Sequence, residues 1–421
     1  MSGTGGFRPS RRGLFTGAAV LGAAGVGAGA VAAAGRGGVA TTSVGTVAFH
    51  GAQQAGITTP AQDQLVLAAL DVTTDDPGVL ADVLARWSEA VATMVTGVPV
   101  GGAGGLAGAA DEPPADTGEA HELPASNLTV TLGYGPSLFD GRFGLQDRRP
   151  AALIDLPALP GDQLDPTRCG GDLCLQACAN DPQVAFHAVR NLVRIGRGVV
   201  AVRWMQLGFG RTSSTSTAQP TPRNLMGFKD GTANVLAEDT ADLGRYVWVG
   251  GEGSPAVDQE WMRGGTYLVA RRIRMLVEAW DRASLGEQER VIGRAKGSGA
   301  PLSGTDEFDP LDLAAQDPSG APVIDVAAHV RLAAPESNGG QKMLRRGYSY
   351  TDGLDLVTGQ LDAGLFFICF GNDPENQFVA VQRKLGARDG LTEYLKHTGS
   401  AVFAVPPGTA DGGSWGQDLF G

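Results

Sequence analysis

The chain has 421 residues, and Gly (63) and Pro (24) together make about 21 % of it, below the roughly 25–30 % typical of low-complexity disorder. Lys and Arg total 33 against 45 Asp and Glu, a net charge of −12, which makes sequence-independent binding of nucleic acid a poor candidate. Four cysteines exclude a scaffold built on disulfides, while the length allows two or three domains or one large duplicated unit.

Residues 8–34 read RPSRRGLFTGAAVLGAAGVGAGAVAAA. A basic start carrying Arg11 and Arg12 precedes a weakly apolar Ala/Gly/Val run, and Ala30, Ala32 and Ala34 offer a small-residue cleavage site. The SRRGLF string resembles a twin-arginine export signal, so the segment 1–34 is expected to be an address read by the twin-arginine export machinery. The run is short and Gly-rich for a spanning helix. That route carries folded proteins and suits a chain that acquires a cofactor before export, which places the mature protein in the periplasm or outside the cell. Without residues 1–34 the basic count falls from 33 to 30 against 45 acids, a charge of −15.

Residues 65–72 (LVLAALDV) read as a buried strand. Asp76-Pro77 then supplies an N-cap and a first-turn proline for a helix whose apolar positions are Leu80, Val83, Leu84, Trp87 and Val91. The stretch 97–117 is rich in Gly, Ala and Pro and acidic, and is expected to be a surface loop. Strands follow at 128–132 and 172–176, and Asp181-Pro182 opens a helix ending near Gly196, with Val184, Ala185, Ala188, Leu192 and Ile195 inward and Arg190 and Arg194 outward. The Ser/Thr-rich stretch 211–226 reads as a linker between halves at 47–210 and 227–415. In the second half, strands are expected at 246–249 and 266–275, a helix after Ser284 with Glu287 at capping-box spacing, a continuous apolar strand at 365–370, a helix around 378–385 and a last strand near 401–405. Each half mixes strands with two helices, so two packed α+β halves fit better than an alternating parallel array.

Five histidines offer no HExxH pair, and no GxGxxG follows a strand, which weakens zinc hydrolysis and nicotinamide chemistry. Residues 322–332 (PVIDVAAHVRL) alternate, and an extended segment would put His329 and Arg331 on one face. An imidazole beside a guanidinium suits an axial iron ligand with an anion partner such as a haem propionate, and equally a wet edge strand. Residues 227–234 (GFKDGTAN) contain Asp230 in a turn pair, and 344–350 (LRRGYSY) place two arginines before a glycine.

Together these segments resemble the dye-decolourising haem peroxidase family: GFKDG is similar to its GxxDG signature, and His329 with Val330-Arg331, followed by Leu344-Arg345-Arg346-Gly347, is similar to its axial-histidine and distal-arginine block. FHGAQQAGIT at 49–58, GGDLCLQACAND at 170–181 and GLFFICFGND at 364–373 extend the resemblance over about residues 47–407, and the N-terminal block with the export signal looks most like the exported branch that includes the deferrochelatase/peroxidase of bacterial iron uptake. The resemblance implies an α+β fold of two ferredoxin-like halves and a haem b cofactor held mainly by the second. It implies His329 as axial ligand to the haem iron and Asp230 and Arg345 as catalytic groups on the peroxide side. Gly231, Thr232, Ala233, Arg331, Ala334, Pro335 and Glu336 would contact the haem, although Ala334 and Glu336 depart from the usual Asn-Pro-Arg. Asp373 is a candidate partner for the second ring nitrogen of His329.

Hydrogen peroxide is then the oxidant, with an organic or metal reductant the sequence does not name; release of iron from intact porphyrin and simple haem carriage are the competing readings, and a homo-oligomer is compatible with all three. Trp261, Trp280, Tyr348 and Tyr350 are candidates for an electron relay or ordinary core aromatics. Cys169, Cys174, Cys178 and Cys369 lack metal-ligand spacing and are read as buried thiols or one disulfide, with Cys169–Cys174 the short-loop pair.

Overall fold

The computed structural model describes residues 45–420, and the export-signal segment 1–34 lies outside them. Strand β1 (Gln64–Val72) leads to α1 (Pro77–Met94), whose N-cap Asp76 accepts from the amides of Gly78 and Val79. Strands β2 (Thr129–Tyr134) and β3 (Leu173–Ala179) lead to α2 (Pro182–Ile195), where Asp181 repeats that cap on Gln183 and Val184, and β4 (Val200–Arg211) closes the half. Antiparallel pairing in the order β2-β3-β1-β4 gives a ferredoxin-like sheet. The inward positions expected of both helices are buried, except that Ile195 is half-buried.

The second half repeats this topology with β5 (Thr266–Met275), β7 (Tyr348–Leu354), β8 (Leu361–Gly371) and β9 (Leu395–Val405) in the order β9-β5-β8-β7; the two-residue β6 (Leu344–Arg345) adds to β8. Helices α3 (Leu285–Ile292), α4 (His329–Ala333) and α5 (Ala380–Arg388) accompany it. The halves join where Tyr134 meets Ala404 and where Phe209 meets Ser349, so eight strands form a closed ring. Strand alternation then divides the core: Leu65, Leu67 and Ala69 of β1 join Phe366, Ile368 and Phe370 of β8 in one cluster, while Val66, Ala68 and Leu70 pack with α1 and α2 in another.

All ten residues of β5 are buried, three arginines among them. Arg272 pairs with Asp352 and Asp362 (2.8 Å each) and lies over the Tyr350 ring at 4.2 Å, and Arg271 pairs with Asp162, partners that such buried cations require. Beside them, His397 on β9 is 6 % exposed, and burial, reinforced by the Arg271 charge, pushes its pKa down to about 4. Because the folded state resists protonating this ring, its contribution is complete above the ordinary value near 6.5 and is lost as pH falls toward 4, about 3 kcal/mol in all. Denaturant unfolding at pH 7 and pH 4 should show the acid-side loss of stability shrinking by about that amount in His397→Gln.

Four segments differ from their sequence patterns. Residues 212–216, read as a linker, are buried, because Thr215 Oγ donates to Thr59 O (2.9 Å), Ser214 Oγ to Pro220 O (2.9 Å) and Ser216 Oγ to Glu238 (2.6 Å). The expected strand at 246–249 does not form: its first two residues end a π-helical turn, Leu243–Val247, anchored by Asn372 and Gln377 donating to carbonyls of Arg245 and Tyr246. The expected strand at 322–332 is broken by Asp325, whose side chain accepts from Ala327 N (2.8 Å) and turns the chain into α4. The 97–117 loop is surface-lying over much of its length, yet it is latched to α2: Asp116 bonds His187 (2.8 Å) and Thr117 bonds Asn191 (2.9 Å).

Candidate active site

His329 is the first residue of α4, and its Nδ1–H donates to Asp389 Oδ2 (2.6 Å). Asp389 is 4 % exposed, and its other oxygen accepts from Leu391 N (2.8 Å), so the carboxylate is held from two sides. This bond sets the tautomer and leaves Nε2 without a protein partner among the described residues. Burial lowers the proton affinity of the ring, but the Asp389 charge and hydrogen bond outweigh it, so the pKa stands above its ordinary value; Asp230 adds to the rise and Arg345 opposes it. Those two contributions put a carboxylate and a guanidinium within electrostatic reach of the imidazole. The side chain keeps 35 % of its surface open.

Asp230 Oδ1 accepts from Arg345 Nη1 (3.0 Å) and its Oδ2 accepts from Asn224 Nδ2 (3.2 Å). Arg345 is presented by β6, paired with Cys369 of β8, and the Asn234 amide grips its backbone: Oδ1 accepts from Arg345 N (2.7 Å) while Nδ2 donates to Arg345 O (2.8 Å) and Ser214 O (2.9 Å). Its neighbour Arg346 is fully buried and donates to Gln62, Thr59 and Ile57 instead. Gly231 has φ +89°, and a Cβ there would lie 2.9 Å from Ser213 Cα, so the turn that presents Asp230 requires glycine. Thr232 Oγ donates to Glu307 (3.2 Å), which pairs with Lys229; Ala233 is exposed.

Other expected positions land differently. In the helix, Arg331 no longer shares a face with His329, and its guanidinium donates to the carbonyls of Ile324 (2.7 Å) and Leu313 (2.8 Å), closing the preceding loop. Ala334 is buried, Pro335 half-buried and Glu336 exposed. Asp373 is not the partner of His329; it accepts from Asn376 N (3.2 Å) and Asn376 Nδ2 (2.7 Å) at the turn after β8. Trp261 and Trp280 are core aromatics whose indoles donate to Arg148 O and Met226 O, and Tyr348 and Tyr350 are buried with the ring-interior cluster. All four cysteines are free thiols, with Cys174 and Cys178 inside the strand ring, so the Cys169–Cys174 bridge does not form. Sequence reasoning missed Asp389, Asn224 and Asn234; Asn234 closes the GFKDGTAN string and was legible there, whereas Asp389-Gly390 reads only as a turn.

Models of the Dyp-type peroxidase N-terminal and C-terminal domains match residues 54–210 and 221–410. The chain belongs to the Dyp-type peroxidase family. A deferrochelatase of Yersinia pestis is 41 % identical over 370 residues, covering 86 % of this chain and 82 % of that protein. A dye-decolorizing peroxidase of Thermobifida fusca is 43 % identical over 377 residues, covering 87 % and 84 %. The structure of an oxyferrous complex of DtpA from Streptomyces lividans superposes with a TM-score of 0.80 at 42 % identity, covering 90 % of this chain and all of that one (100 %). Dyp-type membership accounts for the doubled ferredoxin-like topology, and the arrangement around His329 suits haem: an anchored imidazole with a free Nε2 is a ready axial donor.

Proposed function

We propose that this protein is a haem b peroxidase that reduces hydrogen peroxide while oxidising organic donors such as dyes or phenolics. The reading is carried by the Arg345–Asp230 pair (3.0 Å) lying within electrostatic reach of an imidazole whose Nε2 is free. His329 would hold the iron, and Gly231, Thr232, Ala233, Arg331, Ala334, Pro335 and Glu336 would contact the porphyrin. Haem, when bound, supplies the electrons that break the peroxide O–O bond and recovers them from the donor. The balance is H2O2 + 2 AH giving 2 H2O + 2 A•. Asp230 takes the proton from the inner peroxide oxygen and returns it to the leaving oxygen as water. Arg345 stabilises the negative charge that develops on the leaving oxygen, since its own charge is permanent and pre-placed.

Adding haem should produce a Soret band, and hydrogen peroxide should then drive decolourisation of a model dye; a Soret band with no turnover would make the protein a haem carrier instead. The deferrochelatase relatives favour a second reading, release of iron with the porphyrin intact. It predicts metal-free protoporphyrin after incubation with haem. Asp389→Asn is expected to lower haem affinity about 10- to 100-fold and to raise the reduction potential, because a ligand without its carboxylate partner is less basic; a spectroelectrochemical titration reads both.

Export rests on the twin-arginine string, with a periplasmic or extracellular destination; Arg11→Lys with Arg12→Lys should retain the protein in the cytoplasm on fractionation. Self-association into a homo-oligomer is supported by the β7–β8 hairpin, where Leu356 and Val357 are exposed at 93 % and 94 %; gel filtration of Leu356→Ser with Val357→Ser should show a smaller species.

A further inference from the structure

The 97–126 segment, α1 and α2 enclose a cavity of about 250 Å³ in the first half. Its wall is apolar, formed by Met94, Val98, Leu123, Leu128 and Val184, and its mouth carries the exposed His121 and Glu122. The polar exception in the lining is a dyad: His187 Nε2 bonds Asp116 Oδ1 at 2.8 Å, with the side chains 6 % and 1 % exposed.

Asp116 is fully engaged. Its Oδ1 also accepts from Gly118 N (2.7 Å) and its Oδ2 from Val100 N (2.7 Å), acceptor bonds that hold it as a carboxylate. A carboxylate can only accept, so His187 Nε2 carries the proton and Nδ1 is left as an acceptor. No protein group among the described residues bonds that Nδ1, although the ring is more than nine-tenths buried. A ligand hydroxyl can donate to that acceptor in place of water. Beside the dyad, Glu119 pairs with Arg190 (3.2 Å), which leaves that guanidinium engaged rather than free for an anionic ligand.

We propose that this cavity is a binding site for a neutral, single-ring apolar molecule bearing one hydroxyl, which donates to His187 Nδ1 while its ring packs against Met94, Leu128 and Val184. The size agrees: a dry cavity of about 150 Å³ accommodates benzene, and about 250 Å³ leaves room for a short hydroxyl-bearing substituent. Asp116 acts as a positioning residue, since it orients the imidazole without reaching the ligand. The site is built entirely by the first half and does not depend on the peroxidase reading.

Fluorine NMR of the haem-loaded protein, without peroxide, tests this with 4-fluorobenzyl alcohol as probe and its methyl ether as the matched ligand lacking a donor. The alcohol should bind saturably and about 2- to 10-fold more tightly than the ether, the net worth of one hydrogen bond to Nδ1. His187→Leu should abolish that preference. Because His187→Leu removes the imidazole donor from buried Asp116 and can impair folding, Val98→Trp provides the second arm: Val98 is 39 % exposed at the opening, and the indole should block the cavity and weaken the alcohol at least about 10-fold while dye turnover is retained. Equal affinities for alcohol and ether, undiminished binding in Val98→Trp, or preferential binding of 4-fluorobenzoate would each overturn the proposal.

Discussion

His329→Ala is expected to lose haem. Removing the carboxylate partner of a metal-binding histidine already costs roughly 10- to 100-fold in affinity, so removing the imidazole itself should cost more than about 100-fold. The variant should still fold, because His329 begins a five-residue helix and keeps 35 % of its side chain open. Asp389 would retain its bond to Leu391 N, although one oxygen loses the imidazole donor. Haem titration followed at the Soret band and by electron paramagnetic resonance measures both occupancy and ligand field. Free imidazole added to the variant should restore part of the wild-type spectrum, since the space vacated matches it. Wild-type occupancy and an unchanged spectrum in His329→Ala would remove this residue from the iron.

The second large effect is at the Asp230–Arg345 pair. Asp230→Asn keeps the shape and the bond from Arg345 but cannot accept a proton, so kcat/KM for peroxide should fall by about 10²- to 10⁴-fold with haem still bound. Arg345→Leu should cost about 10²- to 10³-fold through the lost charge stabilisation. The double variant is expected to lose far less than the product of the two, because each residue orients the other across 3.0 Å. Asn234→Ala leaves both charges in place and frees the Arg345 backbone together with the Ser214 carbonyl, so a fall in kcat with a preserved Soret band would reveal its positioning role. Single-turnover mixing of haem-loaded protein with peroxide separates this step from donor oxidation. Multiplying losses in the double variant would mean that the two groups act independently.

Much of this was legible locally. Asp76-Pro77 and Asp181-Pro182 start their helices with the expected cap bonds because a cap needs only residues two or three positions ahead. Ser284 likewise caps α3 through Glu287 N, although the Glu287 side chain turns to Arg290 rather than completing the box. Runs such as 65–72 and 365–370 read as strands because they are largely apolar, with one set of side chains in the ring interior and the alternate set packed outside it. The pattern failed at 322–332, where one Asx bond from Asp325 outweighed a short alternation, and at 212–216, where hydroxyl-rich composition mimicked a linker while each hydroxyl found a buried carbonyl or carboxylate.

By itself, then, the amino-acid order determined the helix starts, the main strands, the α+β class and the positions of His329, Asp230 and Arg345, since these depend on neighbours within a few residues or on motifs kept in order. Only the tertiary structure decided that Asp389, 60 residues downstream, is the partner of the imidazole. It also decided that β6 pairing directs Arg345 to Asp230 and Arg346 into the interior, and that the doubled sheets close where Tyr134 meets Ala404. Those outcomes depend on contacts between distant segments, and the strength of a contact of that kind is set by the desolvation and geometry that packing alone creates.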